Sequence, residues 1–297
     1  MSNDSLGDRM KSYEDVFRLH LPIRMPVIMR IDGKAFHSYV KGKGVDGKEV
    51  DKPFDKGLFD CMNDTAIALC KEVQGCRLAY VQSDEISLLL TNYSTVDTQS
   101  WFDNNLLKMV SISASVASVT FTENSYKIWG IDYSNEDPFY LTKPAHFDSR
   151  AFVMPKEDVT NYFLWRQQDA TRNSVQMLAR SLYSHKELEN KNNSELQEMC
   201  FQKGANWNDV PTAQKRGRCI VKKVTQHTAF NPKTKEYVKS ERSAWVVDDE
   251  IPIFSVDREY VDRFVYPERE NDYVPGKGRV YNVSYGHPGI RTLGEGD

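Results

Sequence analysis

Two short acidic motifs carry the residue types that build a metal site for phosphate chemistry. Asp32 and Gly33 directly follow the apolar run 26–31, and Asp84 and Glu85 stand between two further apolar runs. Carboxylates are the hard oxygen ligands that magnesium prefers, and nucleotidyl transfer needs such a metal beside the phosphates. Glycine has no Cβ, so the Gly33 carbonyl can approach a metal closely. Asp32, Gly33 and Asp84 are therefore the candidate ligands of two magnesium ions.

A purely structural interpretation of the same residues stays open. Asp32-Gly33 is also a turn sequence, and Asp84 suits the tip of a hairpin. The nearby segment 42–49 matches the spacing of a phosphate-binding P-loop except at Glu49, which replaces the hydroxyl residue that binds magnesium. No helix opens after it to receive a phosphate at its N-terminus. We reject a P-loop and assign the lysines of this loop to RNA or a nucleoside triphosphate.

The order of the predicted elements explains how the two acidic motifs would meet. Apolar periodicity predicts the order β-α-β-β-α-β over residues 26–31, 58–73, 78–81, 86–90, about 99–121 and 147–154. This is the ferredoxin-like split βαβ arrangement, an α+β fold. In that fold the third strand lies beside the first and antiparallel to it. Asp32 and Asp84-Glu85 would then meet at one edge of the sheet.

The rest of the chain is predicted to elaborate this core. A third long helix is expected from residue 156 to about 184, with strands around 218–224 and 243–247. Without repeats or a linker, the pattern indicates one elaborated catalytic domain over 1–297. It comprises a core at about 24–155, an elaboration at about 156–250 and a C-terminal extension at about 251–297.

Composition limits the class of protein. A formal net charge of −3 argues against coating nucleic acid by bulk charge, although the basic segments 41–56 and 215–223 could each form a basic face. The five cysteines form no CxxC pair, which predicts free thiols. No apolar run approaches the roughly 18 residues of a membrane span, and the polar N-terminus lacks a signal peptide. We expect a cytoplasmic protein that does not contact membranes.

A second motif could bind a nucleotide. In the segment 52–55, Lys52 could meet a triphosphate, Phe54 could stack on a base, and Asp55 could accept hydrogen bonds from it. Asp55 in the first turn of a helix is an equally good interpretation. His37 is ambiguous in the same way, because a lone histidine is often structural.

At these motifs the sequence resembles the tRNA(His) guanylyltransferase family, and most closely its bacterial and archaeal guanylyltransferase-like members. The matching pieces appear in the family's order over roughly residues 10–225. They lie at residues 30–37, 52–55, 82–87, 108–111, 147–150 and 165–169.

The resemblance implies roles for individual residues. It implies a polymerase-palm-like core with magnesium held by Asp32, the Gly33 carbonyl and Asp84, and with Glu85 supporting the catalytic site. The nucleotide-binding set that it implies is Lys34, His37, Lys52, Asp55, Ser83 and Lys108. The candidate tRNA contacts are Arg166, Asn173, Lys215 and Arg216.

The implied reaction adds nucleotides in the 3′-to-5′ direction, opposite to ordinary polymerases. The 5′-monophosphate of tRNA is first activated by ATP, which gives an adenylylated end and pyrophosphate. The 3′-hydroxyl of GTP or another nucleoside triphosphate then attacks the activated phosphate and expels AMP. The family resemblance also implies a homo-oligomer, a tetramer or a dimer.

One departure from the family pattern bears on the substrate. Eukaryotic members have a His-Ile-Asn-Asn run that takes part in selecting tRNA(His), whereas this chain has Thr171-Arg172-Asn173-Ser174 and keeps only the asparagine. This favours template-directed repair of 5′-truncated tRNAs over strict selection of tRNA(His). Asn105 stands where some members have an arginine near the triphosphate, which predicts weaker activation of a monophosphorylated end.

Two other classes of function stay open. Nucleotide cyclases use the same topology with two carboxylates and magnesium, and their product contains no RNA. Ferredoxin-like sheets also serve as non-catalytic RNA-binding modules with exposed aromatic residues. Metal-stimulated turnover of a nucleoside triphosphate would exclude the second class.

Overall fold

The structure of the protein is a computed structural model that describes residues 5–41, 52–129, 144–231 and 233–266. Most of the basic loop 41–56, including Lys43, Lys48 and Glu49, lies outside the described residues, as does 267–297 of the C-terminal extension. The described helices are α1 (Ser5–Asp15), α2 (Phe36–Lys41), α3 (Lys56–Glu72), α4 (Leu106–Trp129), α5 (Lys156–Leu182), α6 (Asn193–Gln202), α7 (Thr212–Arg216) and α8 (Glu259–Val265). The described strands are β1 (Val27–Gly33), β2 (Cys76–Gln82), β3 (Glu85–Leu90), β4 (Phe147–Val153), β5 (Arg218–Asn231) and β6 (Glu236–Asp248).

The six strands form one sheet with the order β4-β1-β3-β2-β5-β6, and every neighbouring pair is antiparallel. The fold is therefore mixed α and β with an antiparallel sheet. The predicted pairing of the first and third strands is confirmed: β1 lies between β3 and β4, and Asp32 faces Glu85 on one side and Asp148 on the other.

Helices cover both faces of the sheet, which explains the apolar runs in its central strands. Met29 and Ile31 of β1 belong to a buried cluster that includes residues of α3 and α4. Ile28, the residue before Met29, belongs to a second cluster with residues of α5 and α8. Successive residues of a strand point to opposite faces, so a strand buried on both faces is apolar at most positions. None of the described helices is long and apolar enough to cross a bilayer.

The outer elements differ most from the sequence predictions. Strands β5 and β6 pair along a hairpin from Cys219–Asp248 to Asn231–Glu236, far beyond the predicted strands at 218–224 and 243–247. Its distal part is polar and rich in lysine, so it carries no apolar alternation for a sequence pattern to detect. Helix α4 begins at Leu106 rather than near residue 99, because a 3-10 turn over Trp101–Asn104 precedes it.

A buried arginine anchors β5 to α3. Arg218 is 3% exposed, donates from Nε to Asn63, and places its guanidinium 3.7 Å from the centre of the Phe59 ring. Burial lowers the pKa of Arg218 to about 9. Next to it, the Tyr80 hydroxyl donates to the Arg216 carbonyl at 2.6 Å. The chain therefore passes very close to Tyr80 where it enters β5.

This close passage explains Gly217 and predicts the effect of replacing it. Gly217 has φ of +81° and ψ of −175°, a conformation that only glycine adopts readily, and a Cβ there would lie 2.5 Å from the Tyr80 hydroxyl. We expect Gly217→Ala to lower the free energy of unfolding by roughly 2–4 kcal/mol. Urea unfolding measures the loss.

Gly204 supplies the matched control. Its φ is +83°, but a Cβ there would meet nothing within 4 Å. Gly204→Ala should therefore cost only the conformational penalty of about 1–2 kcal/mol. Equal losses for the two variants would show that the contact with Tyr80 adds nothing.

Candidate active site

The turn between β2 and β3 brings Asp84 to the end of β1. The Gly33 amide donates to the Asp84 carbonyl at 3.1 Å, so the two acidic motifs are hydrogen-bonded neighbours. Ser83 precedes Asp84 with φ of +45°, and its hydroxyl donates to Asp84 Oδ1 at 2.9 Å. The structure thus brings together the three positions that the sequence assigned to metal ions, at the predicted edge of the sheet.

Packing accounts for the glycine in the first motif. A Cβ on Gly33 would lie 2.2 Å from the ring of Phe36, so no other residue fits there without displacing that ring. Phe36 is 4% exposed and packs against Phe121 and Phe147 at centroid distances of 5.1 and 5.0 Å. Packing alone therefore explains why position 33 is a glycine, independently of any metal. The role of Gly33 as a ligand stays a prediction.

The two aspartates carry negative charge that the protein leaves incompletely neutralised. Burial raises the pKa of Asp84 to about 6, and the nearby charges of Asp32 and Glu85 add to the shift. Burial also raises the pKa of Asp32, with Asp148 as a further cause, although Arg30 and Arg150 act against it. Carboxylates that resist ionisation in this way form a site that a cation would relieve.

The donor set fits magnesium in kind. Two carboxylates and one backbone carbonyl are hard oxygen donors, and magnesium commonly binds through one or two carboxylates together with phosphates of a substrate. Within the described ranges no group of three or more His, Cys, Asp or Glu side chains is arranged to hold a metal. A metal here would therefore depend on oxygens from its substrate or from water.

Glu85 is held in a buried ion pair behind Asp84. Its side chain is 11% exposed, and Arg166 donates from Nη1 to its Oε2 at 2.8 Å. Gln82 and Ser87 donate to the other carboxylate oxygen at 3.3 and 3.4 Å. Glu85 thus supports the site through hydrogen bonds. The side chain of Arg166 is only 7% exposed, so the predicted tRNA contact by this residue is disfavoured.

A cavity beside Asp84 collects three residues from separate parts of the sequence. Asp55, Ser83 and Asn173 all line it, together with the rings of Phe54 and Phe59. Asp55 is also the N-cap of α3, where its Oδ1 accepts from the Leu58 amide at 2.7 Å. The nucleotide-binding and the capping interpretations of Asp55 are therefore compatible.

The other residues predicted to bind the nucleotide lie in different parts of the structure. Lys34 and His37 are exposed just beyond β1, and Lys52 is exposed just before the cavity residue Phe54. Lys108 lies in the first turn of α4. Ser113, five residues further along that helix, donates to the hydroxyl of Ser149 at 2.8 Å, next to Asp148, so Lys108 lies about 7.5 Å from that contact along the axis. The predicted contact of Lys108 with a triphosphate stays a prediction.

Lys215 and Arg216 lie in the short helix α7. Lys215 Nζ donates to the Asn208 carbonyl at 2.7 Å and lies 5.5 Å from the centre of the Trp207 ring. Arg216 lines a second cavity, on a different side of α5 from the first. The predicted contacts of Lys215 and Arg216 with tRNA stay predictions.

Comparison with known proteins identifies the family. A family model described as tRNAHis guanylyltransferase matches residues 7–155, which is half of the chain. The chain belongs to the tRNA(His) guanylyltransferase family. Among curated members, tRNA(His) guanylyltransferase 2 of Arabidopsis thaliana is 30% identical over 231 residues, which cover 74% of this chain and 39% of the relative. The chain thus spans well under half of that relative's length.

Two solved structures cover nearly the whole chain. Both are of a bacterial tRNA(His) guanylyltransferase-like protein that is 44% identical to this chain. The complex with ATP has a TM-score of 0.72 and covers 88% of this chain and 99% of its own. The complex with GTP has a TM-score of 0.69 and covers 89% and 100%.

Sequence reasoning missed the basic and acidic neighbours of Asp32 in this member of the family. Asp148 faces Asp32 across β1 and β4, and Arg150 Nη2 donates to Asp148 Oδ1 at 2.9 Å. The signal was present, because 147–150 was among the matching motifs and began the fourth strand. Only the register between strands shows that the motif completes the carboxylate edge.

The raised pKa of Asp84 predicts a pH-dependent stability in metal-free buffer. An aspartate whose folded pKa of about 6 exceeds its ordinary value of 3.8 binds more protons in the folded state, so stability falls as pH rises from about 4 to 6. Asp84→Asn removes this loss. We expect it to raise the free energy of unfolding at pH 7.5 by roughly 1–3 kcal/mol.

Urea unfolding in the presence of a chelator checks this at pH 7.5 and at pH 4. The gain should shrink at pH 4, where wild-type Asp84 is protonated in the folded state. Asp97→Asn, at an exposed aspartate, should change stability little at either pH. A gain for Asp84→Asn that is the same at both pH values would contradict the prediction.

The buried pair of Glu85 and Arg166 predicts strong energetic coupling. Arg166→Met removes the closer of the two arginines that face the buried Glu85 carboxylate, leaving Arg30 at 4.0 Å, and should cost about 3–5 kcal/mol of stability. The double variant Glu85→Gln/Arg166→Met should recover much of that cost. Arg172→Met, which removes an exposed partner of Asp169, is the matched control and should cost about 1 kcal/mol or less. Additive losses in the double variant would exclude the coupling.

Proposed function

We propose that this protein is a metal-dependent nucleotidyltransferase that adds nucleotides in the 3′-to-5′ direction to the 5′ end of tRNA. The observation that carries the proposal is the apposition of Asp32 and Asp84 beside a cavity lined by Asp55 and Ser83. Family membership supports the same reaction, because curated relatives are named as tRNA(His) guanylyltransferases.

The proposed substrates besides tRNA are nucleoside triphosphates, with ATP for activation and GTP or another triphosphate for addition. The 44% identical bacterial relative was solved with ATP and with GTP, which supports both. The chemistry of the cavity suits a nucleoside: Phe54 and Phe59 offer aromatic surface for a base, and Asn173 offers an amide.

Two magnesium ions would be held by Asp32, Asp84 and the Gly33 carbonyl. When bound, they would neutralise charge on the phosphates and help to position the attacking and leaving oxygens. The unfavourable ionisation of both aspartates supports this assignment, because a cation at the edge would stabilise their charged forms.

The chain's own residues would position the reactants. The buried pair of Glu85 and Arg166 would hold the turn that carries Asp84, and the hydrogen bond from Gly33 to Asp84 would fix the separation of the motifs. Lys34 and Lys52, which are exposed near this edge, would offset the charge of a triphosphate. Displacement at phosphorus depends mainly on such positioning and charge neutralisation.

The two proposed steps balance as displacements at phosphorus. In the first, a 5′-phosphate oxygen of tRNA attacks the α-phosphorus of ATP and expels pyrophosphate. In the second, the 3′-hydroxyl of the incoming nucleotide loses its proton, attacks the activated 5′-phosphorus and expels AMP. The new phosphodiester extends the tRNA by one nucleotide, which carries its own 5′-triphosphate.

We propose 5′-end repair as the main role, rather than strict addition of G to tRNA(His). The sequence at 171–174 departs from the run that takes part in tRNA(His) selection. Asn173, the residue it retains, lines the nucleotide cavity, which favours a contact with the nucleotide over the predicted contact with tRNA.

The proposal includes the type of fold and the number of domains. The strand order β4-β1-β3-β2 supports a ferredoxin-like, polymerase-palm-like core within a single catalytic domain. The cytoplasmic location and the homo-oligomeric state stay predictions. A nucleotide cyclase would use the same carboxylates, but the family of the chain favours an RNA substrate.

An assay of nucleotide addition to the 5′ end of 5′-monophosphorylated tRNA tests the proposal. We expect wild-type protein with ATP, GTP and magnesium to extend a tRNA that lacks its first nucleotide, in a way that depends on the opposing 3′-strand base. Asp32→Asn and Asp84→Asn should each lower the rate at least about 10²-fold. Asp97→Asn, at an exposed aspartate away from the site, should not.

The comparison substrate is tRNA(His) without its extra G. Extension of this tRNA alone would favour strict guanylyltransferase activity over repair. A failure to extend either tRNA, even from a 5′-triphosphorylated end, would overturn the nucleotidyltransferase proposal. Formation of a cyclic nucleotide without RNA would then favour the cyclase.

A further inference from the structure

A second cavity on the outer side of α5 has the chemistry of a binding site for unpaired nucleotides. We call it the indole groove. It has a volume of about 610 Å³, and its lining includes Trp165, Gln168, Arg172, Trp207, Arg216 and Ile253. None of the described residues that line it is acidic, although the chain has 42 acidic residues. The described lining of the groove therefore combines two indoles with two arginines and contains no carboxylate.

The indoles are held in place with surface left to bind. Trp165 is 47% exposed, and the guanidinium of Arg166 lies 3.6 Å from the centre of its ring. Trp207 is half-buried, and its ring nitrogen donates to the Ser174 hydroxyl at 3.0 Å. Rigid aromatic rings stack on unpaired bases of any sequence, at little conformational cost.

The arginines add charge suited to phosphates. Arg172 is directed by Asp169, which contacts it at 2.7 Å but does not line the groove, and its side chain is 59% exposed. Arg216 enters the groove from α7. Guanidinium groups bind phosphate oxygens through charge-assisted hydrogen bonds. Aromatic stacking surfaces beside basic groups are the features with which proteins bind single-stranded nucleic acid.

The position of the groove points to one particular strand. The groove and the nucleotide cavity lie on different sides of α5, and Arg166, between them, contacts both Trp165 and Glu85. In tRNA the unpaired 3′ nucleotides begin directly across the helix from the 5′ end. With a 5′ end at Asp84, the unpaired strand would begin close to α5, because Arg166 of this helix bonds Glu85 next to Asp84.

We propose that the indole groove binds the unpaired 3′ nucleotides of the tRNA acceptor end. This inference rests on the proposed function, because it takes tRNA as the substrate. The bases stack on Trp165 and Trp207, and the phosphates contact Arg172 and Arg216. Holding this strand aligns the acceptor helix so that its 5′ end reaches the aspartates.

Binding of two tRNAs tests the proposal, one intact and one trimmed of its unpaired 3′ nucleotides. Fluorescence anisotropy in metal-free buffer without nucleoside triphosphates measures Kd for each. We expect wild type to prefer the intact tRNA by roughly tenfold, and Trp165→Ala to abolish this preference. Trp165→Phe, which keeps an aromatic ring, should retain most of it.

Arginine variants test the phosphate contacts. Arg216→Gln should weaken binding of the intact tRNA and lower the slope of log Kd against log salt by about one. Arg180→Gln removes an exposed arginine from α5, outside the indole groove, and should leave the preference for intact tRNA unchanged. Light scattering on every variant monitors the oligomeric state.

Three outcomes would overturn the proposal. Wild type could bind the two tRNAs equally. Trp165→Ala could weaken binding of both tRNAs equally, which would show that the substitution acts through Arg166, which packs on the Trp165 ring. Groove variants could instead change the oligomeric mass while the preference persists, which would assign the groove to a second copy of the chain. Wild type that extends tRNA but lacks the preference contradicts only the groove, whereas a preference without extension contradicts only the proposed function.

Discussion

The antiparallel pairing of β1 with both β3 and β4 is the constraint on which the site depends. It places Asp32 opposite Glu85 and Asp148, and it leaves the β2–β3 turn close enough for Gly33 to bond Asp84. A slip of one residue in either pairing would exchange the faces of the strand. Ile28 and Ile31 belong to clusters on opposite faces of the sheet, so the packing of the core also holds the geometry of the carboxylates.

The charges gathered at this edge are neutralised unevenly, and this pattern separates supporting carboxylates from candidate ligands. Glu85 has Arg166, and Asp148 has Arg150. Within residues 5–41, 52–129, 144–231 and 233–266, neither Asp32 nor Asp84 forms an ion pair with a lysine or arginine, and the pKa of each is raised. Clustered anions cost stability unless something cationic is bound. The site therefore trades stability of the free protein for affinity toward a cation.

The sequence predicted those helices and strands in which apolar residues recur at a regular spacing. It did not predict contacts that depend on how strands distant in sequence are paired. Central strands were predictable because both faces are apolar, and the fold's strand order then joined Asp32 to Asp84. The distal hairpin of β5 and β6 is held mainly by its own cross-strand bonds, which leave no apolar signal. Asp148 and Arg166 were recognised as parts of motifs, but their partners are set by strand register and helix packing.

Helix α5 connects three proposed features: the ion pair behind Asp84, the nucleotide cavity and the indole groove. It is 27 residues long, so it spans the sheet and presents several turns to different surroundings. Arg166 reaches Glu85 from one side, Asn173 lines the nucleotide cavity, and Trp165 lines the indole groove. A rigid helix transmits a displacement along its whole length. A strand seated on Trp165 would therefore restrain the same element that holds Glu85 behind Asp84, which would link correct placement of the tRNA to the order of the catalytic edge.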